Sequence, residues 1–438
     1  MTITLHEARS LSFPGEHQND SRPTGKCRPY AVVDFDKVQI LIRSVGGSLE
    51  NPLWAGSDTP YQFDVSSSAE VTIHIFIRSL NAAPGSGRSQ DICLGVVRLN
   101  PQFGANTLLQ GAASSGCSGV GWVDIHHGTG QLQLGVSYTV NQTSKLEAND
   151  FELLKAVGNG TFGHILQVRK KDTNRIYAMK ILRKAYLPSG ADVATLVEQS
   201  VLAQANNPFI VPLKFSFEFP KKLYLVSAFV GGSGLLEHLS KEGRFDVNRC
   251  RFYAAELICA FECLHGFDFM YRDLKPENIL LDYQGHIAIC DFSLCKLGAR
   301  GEDSVETFGT PEFVAPELLL GHGHGMTADW WTLGVLLYEM LTGLPVFYDE
   351  ATDEMHRKIL SEPLHFTDII PPTAKSLLSK LLNRDPVERL GVNGAAEIKA
   401  HPFFNVIDWG KLMRREYEPV FKPNEVCVIG LIPRWEVT

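Results

Sequence analysis

The sequence has no excess of positive charge: 41 Lys and Arg stand against 49 Asp and Glu, a formal net charge of −8. That leaves no broad basic field for a phosphate backbone, so nucleic acid is excluded as the main partner. It has no Cys-x-x-Cys pair, and its nine cysteines are scattered and odd in number, which excludes a zinc ribbon or a disulfide framework and fits a reducing cytosol. Met1 to Gln18 carries His, Glu, Arg and Pro where a secretion signal needs an apolar run. The longest apolar stretch, Trp330 to Phe347, is broken by Glu339 and two glycines, so it predicts a buried core helix and not a membrane span. Internal repeats and low-complexity tracts are absent.

What is present is ordinary globular material, 44% hydrophobic and 21% charged over 438 residues. A single core seldom grows past roughly 250 to 300 residues, so two or three domains are expected. Residues 1–29, rich in Ser, Pro and Gly, predict a loose N-terminal tail. Over 30–140 the pattern is of short segments with period two: Val38, Ile40 and Ile42; Val71, Ile73, Ile75 and Ile77; Leu132, Leu134 and Val136. Separated by Gly/Ser/Pro-rich breaks, these predict an all-β sandwich. After a polar linker over 141–150, a second region starts strand-like at Phe151 to Val157. It becomes helical by Phe252, Ala255, Cys259 and Cys263, whose spacing puts one apolar face on a helix.

The chemistry lies in this second region. Gly158-Asn159-Gly160-Thr161-Phe162-Gly163 stands between two strand-like segments, the second containing Ile165 and Val168. Glycines let backbone N–H groups approach phosphate oxygens, and a following strand in place of a helix argues against a dinucleotide fingerprint. The next strand carries Ala178-Met179-Lys180, and Glu198 follows in a segment of helical spacing. The lysine can hold the α- and β-phosphates while the glutamate fixes its position.

The most specific stretch is Tyr271-Arg272-Asp273-Leu274-Lys275-Pro276-Glu277-Asn278-Ile279-Leu280-Leu281, followed by Cys290-Asp291-Phe292-Ser293. Asp273 is placed to accept a hydroxyl proton and Lys275 to neutralise the transferring phosphoryl. Asn278 and Asp291 offer oxygen ligands for Mg²⁺. Lysine two residues after the base points to Ser/Thr substrates. Ala315-Pro316-Glu317 and Asp385 to Arg389 complete the set, with Glu317 and Arg389 expected as a buried ion pair.

Residues 151 to about 424 therefore resemble an AGC-group protein kinase. The match rests on Tyr271-Arg272-Asp273, Asp329-Trp330-Trp331-Thr332-Leu333-Gly334 and Phe421-Lys422-Pro423-Asn424. Within the group, Asn206 to Leu213 and Leu336 to Pro345 resemble the fungal Ypk kinases, relatives of the serum- and glucocorticoid-regulated kinases. Tyr30 to Asp36 and Gly128-Thr129-Gly130 are similar to the N-terminal C2-like domain of filamentous-fungal members.

The resemblance implies a C2-like sandwich followed by a two-lobe α+β kinase fold over 151–404, with a short C-terminal extension over 405–438. It implies ATP and Mg²⁺ as cofactors, with Ile165, Ala178, Ala228 and Val230 joining the glycine loop and Lys180 in binding ATP. Thr307 and Thr310 fall in the activation segment, Thr307 being the site for an upstream activating kinase. It further implies protein substrates with basic residues before the Ser/Thr, a monomer, and a role in membrane and sphingolipid homeostasis and growth control. The expected location is cytoplasmic, with peripheral contact to plasma-membrane lipid through the N-terminal domain.

Four features depart from the family pattern. Ser293 replaces the glycine of Asp-Phe-Gly. Gly231-Gly232-Ser233-Gly234 lacks the acid expected at Gly234. The segment Thr307-Phe308-Gly309-Thr310 is one residue short, and the sequence reaches Thr438 without a Phe-x-x-Phe-Ser/Thr-aromatic motif. These keep open the alternative of a pseudokinase scaffold that binds ATP or partners with little catalysis. A calcium-dependent lipid module is disfavoured, because only Asp34, Asp36 and Asp91 are available as ligands; they are expected to be ordinary surface aspartates.

Overall fold

The computed structural model describes residues 1–12, 28–65, 70–78, 91–101, 120–138, 146–160, 163–183, 205–292, 294–297, 310–322, 325–419 and 421. Glu198, Thr161, Phe162, Ser293, Thr307 and the segment beyond 421 lie outside them.

The period-two segments of the N-terminal region form strands of two antiparallel sheets. One runs β4-β5-β1-β10-β9 with β6 beside β1, from β1 (Thr2–Arg9), β4 (Gly46–Gly47), β5 (Pro52–Leu53), β6 (Tyr61–Gln62), β9 (Val120–Asp124) and β10 (Gln131–Ser137). The other runs β3-β2-β7-β8, from β2 (Tyr30–Phe35), β3 (Val38–Arg43), β7 (Val71–Arg78) and β8 (Asp91–Leu99). Ile3, Leu5 and Leu134 of the first sheet share a core with Val33, Ile40 and Ile73 of the second.

Strand β1 corrects the expectation of a loose tail over 1–29. Ile3 and Leu5 are buried, and Thr2–Arg9 pairs with Gln131–Ser137 through a bulge between Leu5 and Glu7. The Ser/Pro/Gly richness farther along masked a two-residue alternation whose partner strand, Gln131–Ser137, is distant in sequence, a pairing that composition cannot register.

The second region opens with a five-stranded sheet, β11-β12-β13-β15-β14: β11 (Phe151–Gly160), β12 (Gly163–Lys170), β13 (Ile176–Arg183), β14 (Leu213–Phe219) and β15 (Lys222–Ala228). A helical lobe follows. It holds α1 (Leu235–Glu242), α2 (Val247–Gly266), α3 (Pro316–Leu319) and α4 (Thr327–Thr342), with the two-residue strand β16 (Phe269–Met270) and the short hairpin β17 (Ile279–Leu281) and β18 (Ile287–Ile289).

Asp246 caps α2 by accepting from the Asn248 and Arg249 amides, and Phe252, Ala255 and Cys259 face inward as their spacing predicts. The apolar stretch from Trp330 is α4, a core helix with Trp330 and Trp331 fully buried. It stops at Gly343, whose φ of 99° only glycine adopts cheaply. No helix among the described residues is long and apolar enough to cross a membrane.

The cores divide unexpectedly. One fills the helical lobe and takes in Leu182, Leu213, Leu223 and Leu225 of the five-stranded sheet, while the sandwich shares the other with the rest of that sheet, from Phe63 and Val71 through Phe151, Phe217 and Tyr224. The aspartates expected at the surface are engaged here: Asp34 is buried and accepts from Gln39 (2.9 Å), Asp36 pairs with Lys214, and Asp91 accepts from Tyr30 (2.6 Å). Gln39 and Tyr30 are neighbours within the sandwich, whereas Lys214 reaches Asp36 because the sandwich packs against the next region, a proximity invisible in the sequence.

Candidate active site

Strand register builds the first half of the site. Gly158 lies opposite Ile165, Ile165 opposite Lys180, and Lys180 opposite Leu225, so one row across four strands carries the glycine loop's root to the lysine. Ala178 pairs with Ser227 two residues along, and Ala228 and Val230 are buried where the chain leaves β15. Just beyond, a Cβ on Gly232 would stand 1.5 Å from the Leu281 carbonyl oxygen, so only glycine fits this crossing against β17. The Leu281 amide then donates to the Ser233 carbonyl (3.0 Å), and Gly234 begins α1.

The second half hangs on Asp329, buried in the first turn of α4. Its carboxylate accepts from the Tyr271 amide (3.0 Å), the Arg272 amide (2.9 Å) and His265 (2.8 Å). Arg272 has φ of 66°, a left-handed conformation costing about 1–2 kcal/mol for a residue with a Cβ. Charge-assisted hydrogen bonds offset that strain. The Arg272 side chain also donates to the Leu294 carbonyl (2.6 Å). Asp329 was legible only as part of a family motif, and its positioning role emerges from the contact.

Asp273 follows immediately. Lys275 lies 3.2 Å from its carboxylate, and the Asn278 amide donates both to that carboxylate (2.8 Å) and to the Asp273 carbonyl (2.9 Å). Burial pushes the Asp273 carboxyl up from its ordinary value, against the opposing pull of Lys275 and Asn278. Lys275 also donates to the Thr310 hydroxyl (3.0 Å), which brings Thr310 to the site.

From the other lobe, Lys180 reaches Asp291 at 2.8 Å. Asp291 has φ of 56°, and the Cys290 amide donates to the Asn278 carbonyl (2.9 Å), tying the two candidate metal residues together. The donor set suits a hard cation. Asn278 spends its NH₂ on Asp273, leaving the amide oxygen as its ligand end, beside a carboxylate. Farther off, Arg389 donates to Glu317 through both terminal nitrogens (2.6 and 2.7 Å), the expected buried pair.

Residues 151–404 match the protein kinase domain family. The chain belongs to that family. This kinase is 57% identical to the serine/threonine protein kinase ypkA of Aspergillus fumigatus over 426 residues, covering 92% of this chain and 67% of ypkA. It is 50% identical to gad8 of Schizosaccharomyces pombe over 97% of this chain and 77% of gad8. It is 54% identical to YPK1 of Saccharomyces cerevisiae over 90% of this chain and 60% of YPK1. It is thus a serine/threonine protein kinase of the AGC group, a transferase that uses ATP and Mg²⁺, acts on protein substrates and answers to upstream activation. Nothing here favours the scaffold alternative: Lys180, Asp273, Asn278 and Asp291 converge.

Three acids escaped the sequence reading. Glu339 is 8% exposed on α4, and burial, together with the nearby charges of Glu277 and Glu312, pushes its carboxyl up to about 7. One buried oxygen of Glu339 and one of Glu312 have no hydrogen-bond partner among the described residues. Glu277 stood inside the most specific motif and Glu339 broke the apolar run at Trp330 to Phe347. A charge placed in a core helix was the available signal.

Proposed function

We propose that this kinase phosphorylates Ser or Thr hydroxyls preceded by basic residues, with Asp273 as the proton acceptor. The observation that carries the reading is the acidic group of Glu277, Glu312 and Glu339, of which Glu277 lies four residues after Asp273: Glu339, with one buried oxygen lacking a partner among the described residues, gains one when a substrate Arg or Lys arrives. When bound, Mg-ATP supplies the phosphoryl group and the cation neutralises charge on its oxygens.

The chain's residues do the rest. Asn278 orients the Asp273 carboxylate, and Lys275 bridges Asp273 to Thr310 across the transfer site. Lys180 holds polyphosphate, with Gly158 to Gly163, Ile165, Ala178, Ala228 and Val230 around the nucleotide. Glu198 is its proposed ion-pair partner. Asn278 and Asp291 hold the metal. The proton lost by the substrate hydroxyl passes to Asp273, whose burial raises its basicity. An upstream kinase acting at Thr307 completes the proposed activation.

Likeness to Ypk-type kinases along most of the chain supports a role in membrane and sphingolipid homeostasis. It also supports a cytoplasmic monomer that meets acidic membrane lipid without calcium through its N-terminal domain, where Asp34 and Asp36 already bind protein groups. The test of the activity is transfer from radiolabelled ATP to a peptide with two arginines before its serine. Transfer that vanishes with Asp273→Asn and weakens when the arginines become alanines is expected. Equal transfer to both peptides would refute the basic preference.

A further inference from the structure

The two lobes meet at a short pivot, Asn207 to Val211. Asn207 donates to the Cys259 carbonyl of α2 (2.9 Å), and the Ile289 and Val211 amides donate to the Phe209 and Ile289 carbonyls (2.9 and 3.0 Å) before the chain enters β14. The turn between β2 and β3 presses on this pivot. Its two residues, Asp36 and Lys37, have φ of 51° and 62°, with neither glycine nor asparagine to ease a primed turn. Strain at such a tip persists only where contacts over-determine it. Here Asp36 pairs with the buried Lys214, and the buried Lys37 donates to the Pro208 carbonyl inside the pivot.

The same β domain grips each lobe separately. On the small lobe, Asp64 accepts from Lys170 (2.9 Å), Tyr177 (2.7 Å) and Thr173 (3.1 Å). On the large lobe, Arg98 donates to the Arg414 carbonyl (2.7 Å) and Gln284 to His74 (2.9 Å). Arg415 lies 4.0 Å from Asp34 while binding Asp282 and Gln284 (2.8 Å).

We infer that the N-terminal β domain is an interlobe brace that, by holding both lobes and the pivot between them, restrains cleft opening and slows nucleotide release. A body fixed on both sides of a hinge resists rotation about it, since opening must break one set of contacts. The contacts most exposed by opening are buried ion pairs, which lose their partners only at high cost. Across the cleft, Lys180 meets Asp291 at 2.8 Å, a further contact that opening must break. Product release from such a cleft commonly requires opening.

The test uses the full chain and a fluorescent ADP, with dissociation followed by stopped flow and hydrogen exchange followed over 207–211 and 279–289. Lys37→Met and Arg415→Met each keep an apolar stem while removing a brace contact. Each is expected to release ADP about tenfold faster, the effect of some 1.4 kcal/mol, and to exchange faster at the pivot. Ile398→Val trims the large-lobe core away from the junction and should leave release unchanged. Release within twofold of wild type in Lys37→Met overturns the inference, whether or not Arg415→Met folds. So does equal acceleration by Ile398→Val.

Discussion

Two clusters of buried charge sit in this molecule and serve opposite ends. In the catalytic cluster, Lys180, Asp273, Lys275 and Asp291 come from segments whose order was already diagnostic, and Lys275 and Asp291 keep part of their surface in solvent. In the junction cluster, Asp34, Lys37, Asp282 and Arg415 come from three distant stretches. Burial there holds Lys37 down to about 8. The first cluster lies in the cleft between the lobes, where solvent and ligand reach it, while the second is packed between the sandwich and the large lobe. Similar residue types thus give catalysis where solvent and ligand reach them and cohesion where they do not.

The comparison breaks most sharply at Asp273. Asp273→Asn preserves size and the neighbouring hydrogen-bond geometry but removes the proton acceptor, so kcat should fall by about 10²–10⁴ while thermal unfolding barely moves. A comparable loss of stability would place Asp273 with the junction cluster. The converse variant is Asp282→Ala, which leaves Arg415 and Lys37 short of a counter-charge. It should destabilise the chain by about 3 kcal/mol in urea unfolding. A change under about 0.5 kcal/mol would mean the junction is a surface contact of little weight.

Glu339 sharpens the contrast, being a catalytic-lobe acid that costs stability. Its carboxyl is raised to about 7 in the folded state, so between its ordinary value and 7 the folded protein binds more protons than the unfolded one. Stability therefore falls as pH rises through that window, by up to about 3 kcal/mol. Glu339→Gln should remove this slope, be the more stable protein at pH 8, and raise KM for a basic peptide. Unchanged stability at both ends of the window would contradict the assignment.

The smallest effect concerns Gly234, where an added Cβ would meet only the Ile279 carbonyl oxygen at 3.9 Å. Gly234→Glu should fit and lower KM for a peptide with an arginine before its serine by about threefold, on the order of 0.6 kcal/mol. A fall in the melting temperature with no gain in affinity would show that the position tolerates no side chain.

The kinase region could be read from its residues because its chemistry is contiguous. Asp273, Lys275 and Asn278 lie within six positions, and one turn of chain brings them together whatever the rest of the fold does. The glycine loop and Lys180 lie on neighbouring strands, whose register follows from a local hairpin. The expected sandwich also stood, since period two survives without knowledge of partners. Strand β1 did not, because its partner is β10.

By itself, then, the sequence determined the reaction class, the order of catalytic groups and the apolar faces of its strands and helices. Each of these depends on spacing along the chain. Only the tertiary structure decided that Asp329 supports the turn at Arg272, that Glu339 becomes a costly buried acid, and that the sandwich and small lobe share one core. It also decided that Asp34 and Asp36 face protein. The reason is physical: burial and pairing set the strength of a charge, and both depend on groups that folding brings from hundreds of residues away.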